Sequence, residues 1–250
     1  MLEIKTRVSG ALIVKTVLLK CVSLTAPYVK QCHEADPKLM ECFISALHHL
    51  RPYLATGITE IELPSVEPFR MDELSLSLTG GPSGFKVTLA DIDIYGASNF
   101  TVTKIRSDID TYQFQITLFI PHISARAKYV SSGILILVQA SGGGDYWGEY
   151  EGVRAKIYIR AKPILKNGRT YLSLQESKMD FSVKSIRMGV ENVHNGNSVL
   201  QAALNLFINT NGQELLKEMK PDLKKKLLAT LSNFVENLFA KIPYDAWIVG

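Results

Sequence analysis

Alternation with a period of two runs through the middle of the chain: Val87 and Leu89, Ile92 and Ile94, Phe100 and Val102, then Tyr112, Phe114, Ile116, Leu118 and Ile120 in an unbroken series. Leu172 and Leu174, Phe181 and Val183, and Ile186, Met188 and Val190 continue it. Successive side chains of a strand point to opposite faces. The pattern therefore predicts half-buried antiparallel strands between residues 58 and 190, with turns at Gly80-Gly81-Pro82 and Asn167-Gly168.

On either side the period lengthens. Leu39, Cys42, Phe43, Ala46, Leu47 and Leu50 recur at helical spacing, which predicts a helix capped by Asp36, opened by Pro37 and ended by Pro52 and Gly57. After Asn195-Gly196-Asn197 the same spacing joins Leu200, Leu204 and Phe207, then Leu215, Leu216 and Met219, then Leu223, Leu227, Leu231, Phe234, Val235, Leu238 and Phe239. This predicts one or two long amphipathic helices that Pro221 starts or kinks. Their apolar face needs a cover and the sheet is the element available. The expected fold is α+β, a long C-terminal helix wrapped by a highly curved antiparallel sheet.

The segment GILILVQASGGGDYWGEYEG (133–152) joins an apolar strand to a glycine-rich stretch. No Gly-Lys-Ser/Thr follows Gly142-Gly143-Gly144, so it reads as a sheet bend or hairpin and not as a phosphate loop.

Composition narrows the function classes. At 250 residues, 46% hydrophobic and 21% charged, the chain can bury a substantial core. Its net charge of +4 arises largely in the first 26 residues, where Lys5, Arg7, Lys15 and Lys20 face Glu3 alone; 24 basic and 23 acidic residues remain. That balance calls for no nucleic-acid partner, and Lys224-Lys225-Lys226 reads as the solvated face of a helix. Residues 1–26 have a basic start, an apolar middle interrupted by Lys15 and Lys20, and small residues near 23–26, the layout of a secretory signal peptide. A single mature domain at 27–250 is expected to follow. No stretch approaches the roughly 20 apolar residues of a membrane span.

Cleavage there would remove Cys21 and leave Cys32 and Cys42, an even number for an oxidising compartment. A bond between them would tie the lead-in segment to the first helix and contribute roughly 2–3 kcal/mol through loop closure. A metal half-site with His33 is the competing reading, but no second Cys/His pair at zinc spacing follows. His48-His49 point about 100° apart on a helix and read as a solvated edge. No Gly-x-Ser-x-Gly elbow supports a lipid esterase, and His33, His122 and His194 stand without companion motifs. Neither a metal nor another cofactor is expected. Asn99-Phe100-Thr101 is a glycosylation sequon in a strand-like stretch.

Residues 28–63, YVKQCHEADPKLMECFISALHHLRPYLATGITEIEL, resemble the opening of the secreted insect takeout and juvenile-hormone-binding proteins, with both cysteines, Asp-Pro, Leu-Arg-Pro and Gly-Ile in place. The resemblance continues through DIDIYGASNFTVTKIRSDID (91–110), PHISARAKYVSSGILIL (121–137), NVHNGNSVLQAALNLFINTNGQELLKEMKPDL (192–223) and KIPYDAW (241–247). It implies a tubular module enclosing an apolar tunnel, a secreted monomeric carrier of a small hydrophobic ligand, and no enzymatic activity. It also implies a Cys32–Cys42 disulfide, and two mature cysteines place the chain on the takeout side of the family.

On that fold the candidate tunnel residues are Phe114, Ile116, Leu118, Tyr129, Ile134, Ile136, Phe181, Val183, Leu204, Phe207, Leu227, Leu231 and Phe234. Tyr129, Tyr146 and Trp147 are candidates to meet a polar head group. A membrane-engaging lipid-transfer protein of the same superfamily is the alternative. The near-neutral mature charge makes membrane contact unexpected.

Overall fold

The computed structural model describes residues 26–78, 84–135, 138–139, 141–193 and 198–250. The expected leader up to residue 25, the Gly80-Gly81-Pro82 turn, Ile136, His194 and the Asn195-Gly196-Asn197 break lie outside the described residues, and of Ile134 only the backbone is described. Two strands dominate: β5 (Gln113–Ser132, 20 residues) and β8 (Gly142–Lys166, 25 residues). At this length, roughly 65 and 80 Å when extended, strands twist and coil strongly, and the sheet they carry cannot stay flat.

β5 and β8 pair antiparallel from Gln113 opposite Arg160 to Ser131 opposite Gly142. Each half of this spine has its own neighbours. β4 (Thr101–Asp108) pairs with the first half of β5, while β3 (Phe85–Tyr95) pairs with the second half and carries β2 (Phe69–Leu78) outside it. On the other side, β9 (Arg169–Ser182) follows β8 across the predicted Asn167-Gly168 turn, and β10 (Ser185–Glu191) pairs with seven residues near the start of β8, from Asp145 to Glu151. The spine bends where the neighbours change. Pro121 has no N–H for the ladder, and Gly152 opposite the bend sits at φ +63°. Ile120 and Ile123, like Val153 and Tyr150, all face inward, so each strand carries one extra residue there.

The glycines at 142–144 are not the bend. They lie within β8, opposite Ser131, Val130 and Tyr129, because the Tyr129 ring occupies the space above Gly144, where a Cβ would come within 3.0 Å of it. The hairpin of that segment is the short pair β6 (Ile134–Leu135) and β7 (Val138–Gln139).

Two helices close the concave side: α2 (Ser198–Thr210) and the 30-residue α3 (Gly212–Lys241), which runs through Pro221. The fully buried positions of α3 are Gly212, Leu216, Val235 and Phe239, all toward its ends. Met219, Leu223, Leu227 and Leu231, in its middle and on the same apolar face, are only half-buried. Helix and sheet touch at both ends and stand apart between.

α2 is fixed to the sheet edge by two asparagines. The Asn205 amide accepts from the Val190 N–H (2.7 Å) and donates to the Val190 carbonyl (3.0 Å). The Asn209 amide does the same with Met188 (3.2 and 2.8 Å). Four helical residues rise about 6 Å and two strand residues about 6.7 Å, so the side chains fall in register with the unpaired edge and act as a substitute strand. On the half of the spine that carries them β10 and β2 are the edge strands, and among the described residues they are not paired to each other.

The N-terminal part begins at β1 (Cys32–His33), which pairs in parallel with β11 (Ile248–Val249) at the other end of the described chain. Cys32 and Cys42 form a disulfide with Cα atoms 5.8 Å apart, tying β1 to α1 (Leu39–Thr56). The helix starts later than its Asp36-Pro37 signal, since Asp36 uses its carboxylate and carbonyl to hold the N–H groups of Lys38 and Leu39 in a preceding turn. Pro52 lies inside the helix, and Gly57 at φ +85° ends it. The reading of His48-His49 as a solvated edge holds for His49, which is exposed, and fails for His48, which is half-buried. His48 Nε2 accepts the Val102 N–H (2.8 Å) and docks α1 on β4, while His49 Nε2 bonds the Pro27 carbonyl (2.8 Å). Asn99 sits in an exposed turn between β3 and β4, not within a strand.

Replacing Asn205 by Leu would leave the Val190 N–H and carbonyl without protein partners, at about 1–3 kcal/mol for a part-buried pair. Urea unfolding is expected to show a loss in that range for Asn205→Leu and a similar one for Asn209→Leu; losses under about 0.5 kcal/mol would mean that water serves the edge equally well.

Candidate functional site

The gap between the middle of α3 and the sheet is a cavity of about 500 Å³. Met71, Leu74 and Leu76 of β2 and Val87, Leu89 and Ile92 of β3 form one side. Ile123, Ala125 and Tyr129 of β5 and Tyr146, Tyr150 and Val153 of β8 form the floor, and β9 and β10 add Met179, Phe181, Ile186, Met188 and Val190. The helices supply Leu204, Ile208, Met219, Leu223, Leu227, Leu231 and Phe234. These are the inward members of the period-two strands and the apolar stripe of the helices, brought face to face by the curl.

None of the described lining residues carries a charge; hydroxyls are the polar side-chain groups. Ser131 Oγ donates to the Gly142 carbonyl (3.4 Å) and Thr230 Oγ1 to the Lys226 carbonyl (3.2 Å). The Tyr146 and Tyr150 hydroxyls hydrogen-bond to each other, and Tyr146 also reaches Met188 Sδ at 3.6 Å. Gly148 makes this pairing fit, because a Cβ there would lie 2.7 Å from one hydroxyl and 2.8 Å from the other. Tyr129 is different: its side chain is buried (6% exposed) on the cavity wall, and its hydroxyl has no hydrogen-bond partner among the described residues.

Of the candidates from sequence, Tyr129, Phe181, Val183, Leu204, Leu227, Leu231 and Phe234 stand on this wall. Phe114 and Leu118 pack instead with Val235, Phe239 and Trp247, where the end of α3 and the chain after it fill the tube. Ile116 is half-buried between Ile105 and Ile157, and Phe207 does not reach the wall from α2. Tyr146 lines the cavity, whereas the Trp147 ring lies against Gly189 of β10. The residues from β2 and β3, and Tyr150, were missed. Alternation at Val87, Leu89 and Ile92 identified an inward face but carried no sign that it met a void. Among the described residues no group of three His, Cys, Asp or Glu side chains is placed to hold a metal ion.

Burial raises the phenols of Tyr146, far above the ordinary tyrosine range, and of Tyr150. Burial, helped by the Asp145 carboxylate, also raises Tyr129, and burial with Tyr112 nearby pushes Tyr244 up to about 12. These groups stay protonated in the fold after an unfolded tyrosine, at about 10, has ionised. Their contribution to stability is therefore complete below pH ~10 and is lost as pH rises through the folded values. An ultraviolet pH titration is expected to show a late-ionising class of tyrosines that vanishes in denaturant, with stability falling above pH ~10; a single transition common to all tyrosines would contradict it.

The model of the haemolymph juvenile hormone binding protein family matches residues 11–249. The circadian clock-controlled protein daywake of Drosophila melanogaster is 26% identical over 227 residues, covering 87% of this chain and 85% of its own. Its Drosophila yakuba counterpart is 24% identical over 220 residues, covering 83% and 84%. Among solved structures, Takeout 1 of Epiphyas postvittana superimposes with a TM-score of 0.78 at 16% identity, over 89% of this chain and all of that one. At that identity the likeness concerns the fold, and it is the curled sheet and long helix described above.

Proposed function

The chain belongs to the haemolymph juvenile hormone binding protein family, and on that premise we propose that it is a secreted, monomeric carrier that holds one small hydrophobic ligand between its sheet and α3. The observation that carries this reading is the cavity itself, about 500 Å³ in volume and walled by apolar side chains without a charge. Residual cavity volume costs about 24 cal/mol per Å³, so an empty space of this size would remove roughly 12 kcal/mol, comparable with the whole stability of a domain. A protein retains such a space where an occupant fills it. Each CH₂ moved from water to these walls gains about 0.8 kcal/mol, so a tail of about fifteen carbons gains roughly 12 kcal/mol, enough for near-micromolar binding after an association cost of about 4 kcal/mol. Binding of this kind needs no catalytic group, and the reading includes no enzymatic step.

Mass spectrometry of the organic extract from natively purified protein is expected to find a lipid near one equivalent. An uncharged fluorescent probe should bind the stripped protein, and saturating ligand at about 100 times its Kd should add roughly 2.7 kcal/mol to stability. Extracts without lipid, together with no probe binding, would sink the carrier reading.

Secretion is part of the proposal. The disulfide suits an oxidising compartment, residues 1–26 read as the removable leader, and Asn99 is exposed in a turn where a glycan would meet no packing. No described helix is long and apolar enough to cross a membrane. Expression in insect cells is expected to yield medium-borne protein that begins within a few residues of Ala26, has no free thiol and loses mass on N-glycan removal. Cytosolic retention with an intact Met1 would argue against this part of the reading.

A further inference from the structure

We propose that the Tyr129 hydroxyl is the specificity-determining contact of the cavity, and that it selects an uncharged lipid bearing a hydrogen-bonding oxygen, such as an ester, ketone or alcohol. The inference rests on the carrier reading and names the ligand class for the same cavity. Each of the other hydroxyls on the wall has a partner within the protein: Ser131 with Gly142, Thr230 with Lys226, Tyr146 with Tyr150. Tyr129 has none among the described residues although only 6% of it is exposed. The ring is buried but the hydroxyl oxygen borders open space, and on the cavity wall a bound oxygen is the group that would pair with it there.

Local structure holds this hydroxyl in place. Tyr129 stands on the inward face of β5 opposite Gly144, and the missing side chain of Gly144 gives its ring a seat against β8. The ring packs with Leu76, Leu89 and Val190 at one end of the cavity, so the polar point is terminal and an apolar tail can run from it toward Phe234. The walls decide the charge of the ligand. Among the described residues no lysine, arginine or histidine lines the cavity, so a carboxylate would be buried without a counter-ion. A pure hydrocarbon would fit but leave the hydroxyl unsatisfied. A phenol is neutral and able to donate at physiological pH, and burial moves Tyr129 further from ionisation.

The test is displacement of the uncharged probe N-phenyl-1-naphthylamine by an alkane, an alcohol, a methyl ester and a carboxylate of one chain length, on the wild-type chain and on Tyr129→Phe. The substitution is expected to weaken the ester and alcohol about three- to tenfold, the worth of one net hydrogen bond, while the alkane changes less than about twofold. On the wild-type chain the carboxylate should bind at least about tenfold more weakly than its ester at a pH where it is ionised. Because the hydroxyl bonds nothing in the protein, Tyr129→Phe should melt no lower than wild type. An unchanged ester affinity, an equal loss for the alkane, or a lowered melting temperature would each overturn the assignment. If the probe binds neither protein, the carrier reading fails and this inference fails with it; if the probe binds and the ester–alkane difference is absent, only the inference fails.

Discussion

A helix can touch a curled sheet everywhere only if the curl is as tight as the helix is wide, and here it is not. The antiparallel pairing of β5 with β8 sets the radius. Both strands are long enough that twist accumulates along them, and the extra residues beside Pro121 and Gly152 turn the sheet further. The flanking strands then fall where the spine puts them: β4 and β9 on one half, β3, β2 and β10 on the other. At the β4–β9 end the tube is filled by Val235, Phe239 and their neighbours. In the middle the walls diverge beyond the reach of leucine side chains, and the cavity is the remainder.

This geometry explains why one apolar stripe on α3 has two roles. Val235 and Phe239 are buried where helix and sheet meet, whereas Leu223, Leu227 and Leu231 face the space between. Sequence periodicity reports the stripe and the strands opposite it, and that much was legible: the α+β class, the wrapped helix, the Asn167-Gly168 turn and a cysteine pair tying the lead-in segment to the first helix. The family resemblance over residues 28–63 and beyond placed these elements in one architecture.

What periodicity could not report is distance between surfaces. Phe114 and Leu231 have the same hydrophobic character, yet one is packed against α3 and the other borders the void, a difference set by the sheet radius several elements away. The same holds for polar groups. His48 looks solvent-facing in a helix until β4 presents the Val102 N–H to it. Gly142-Gly143-Gly144 looks like a bend until the Tyr129 ring is seen to need room over Gly144, and the true bend falls at Gly152 of the same stretch. Glycines and histidines of this kind answer to partners that sequence spacing does not reveal.

The asparagine ladder has a further meaning for the tube as a container. In a closed barrel the circumference is fixed, because strand number and stagger must satisfy a continuous ring of backbone bonds. Among the described residues this sheet does not close on itself: β10 ends on the amides of Asn205 and Asn209, and β2 meets the helices through side-chain packing. The seam is therefore sealed by one helix that bonds to the edge and by apolar contacts that slide. Its girth is an adjustable quantity, and occupants of different breadth can be enclosed with every strand-to-strand hydrogen bond kept.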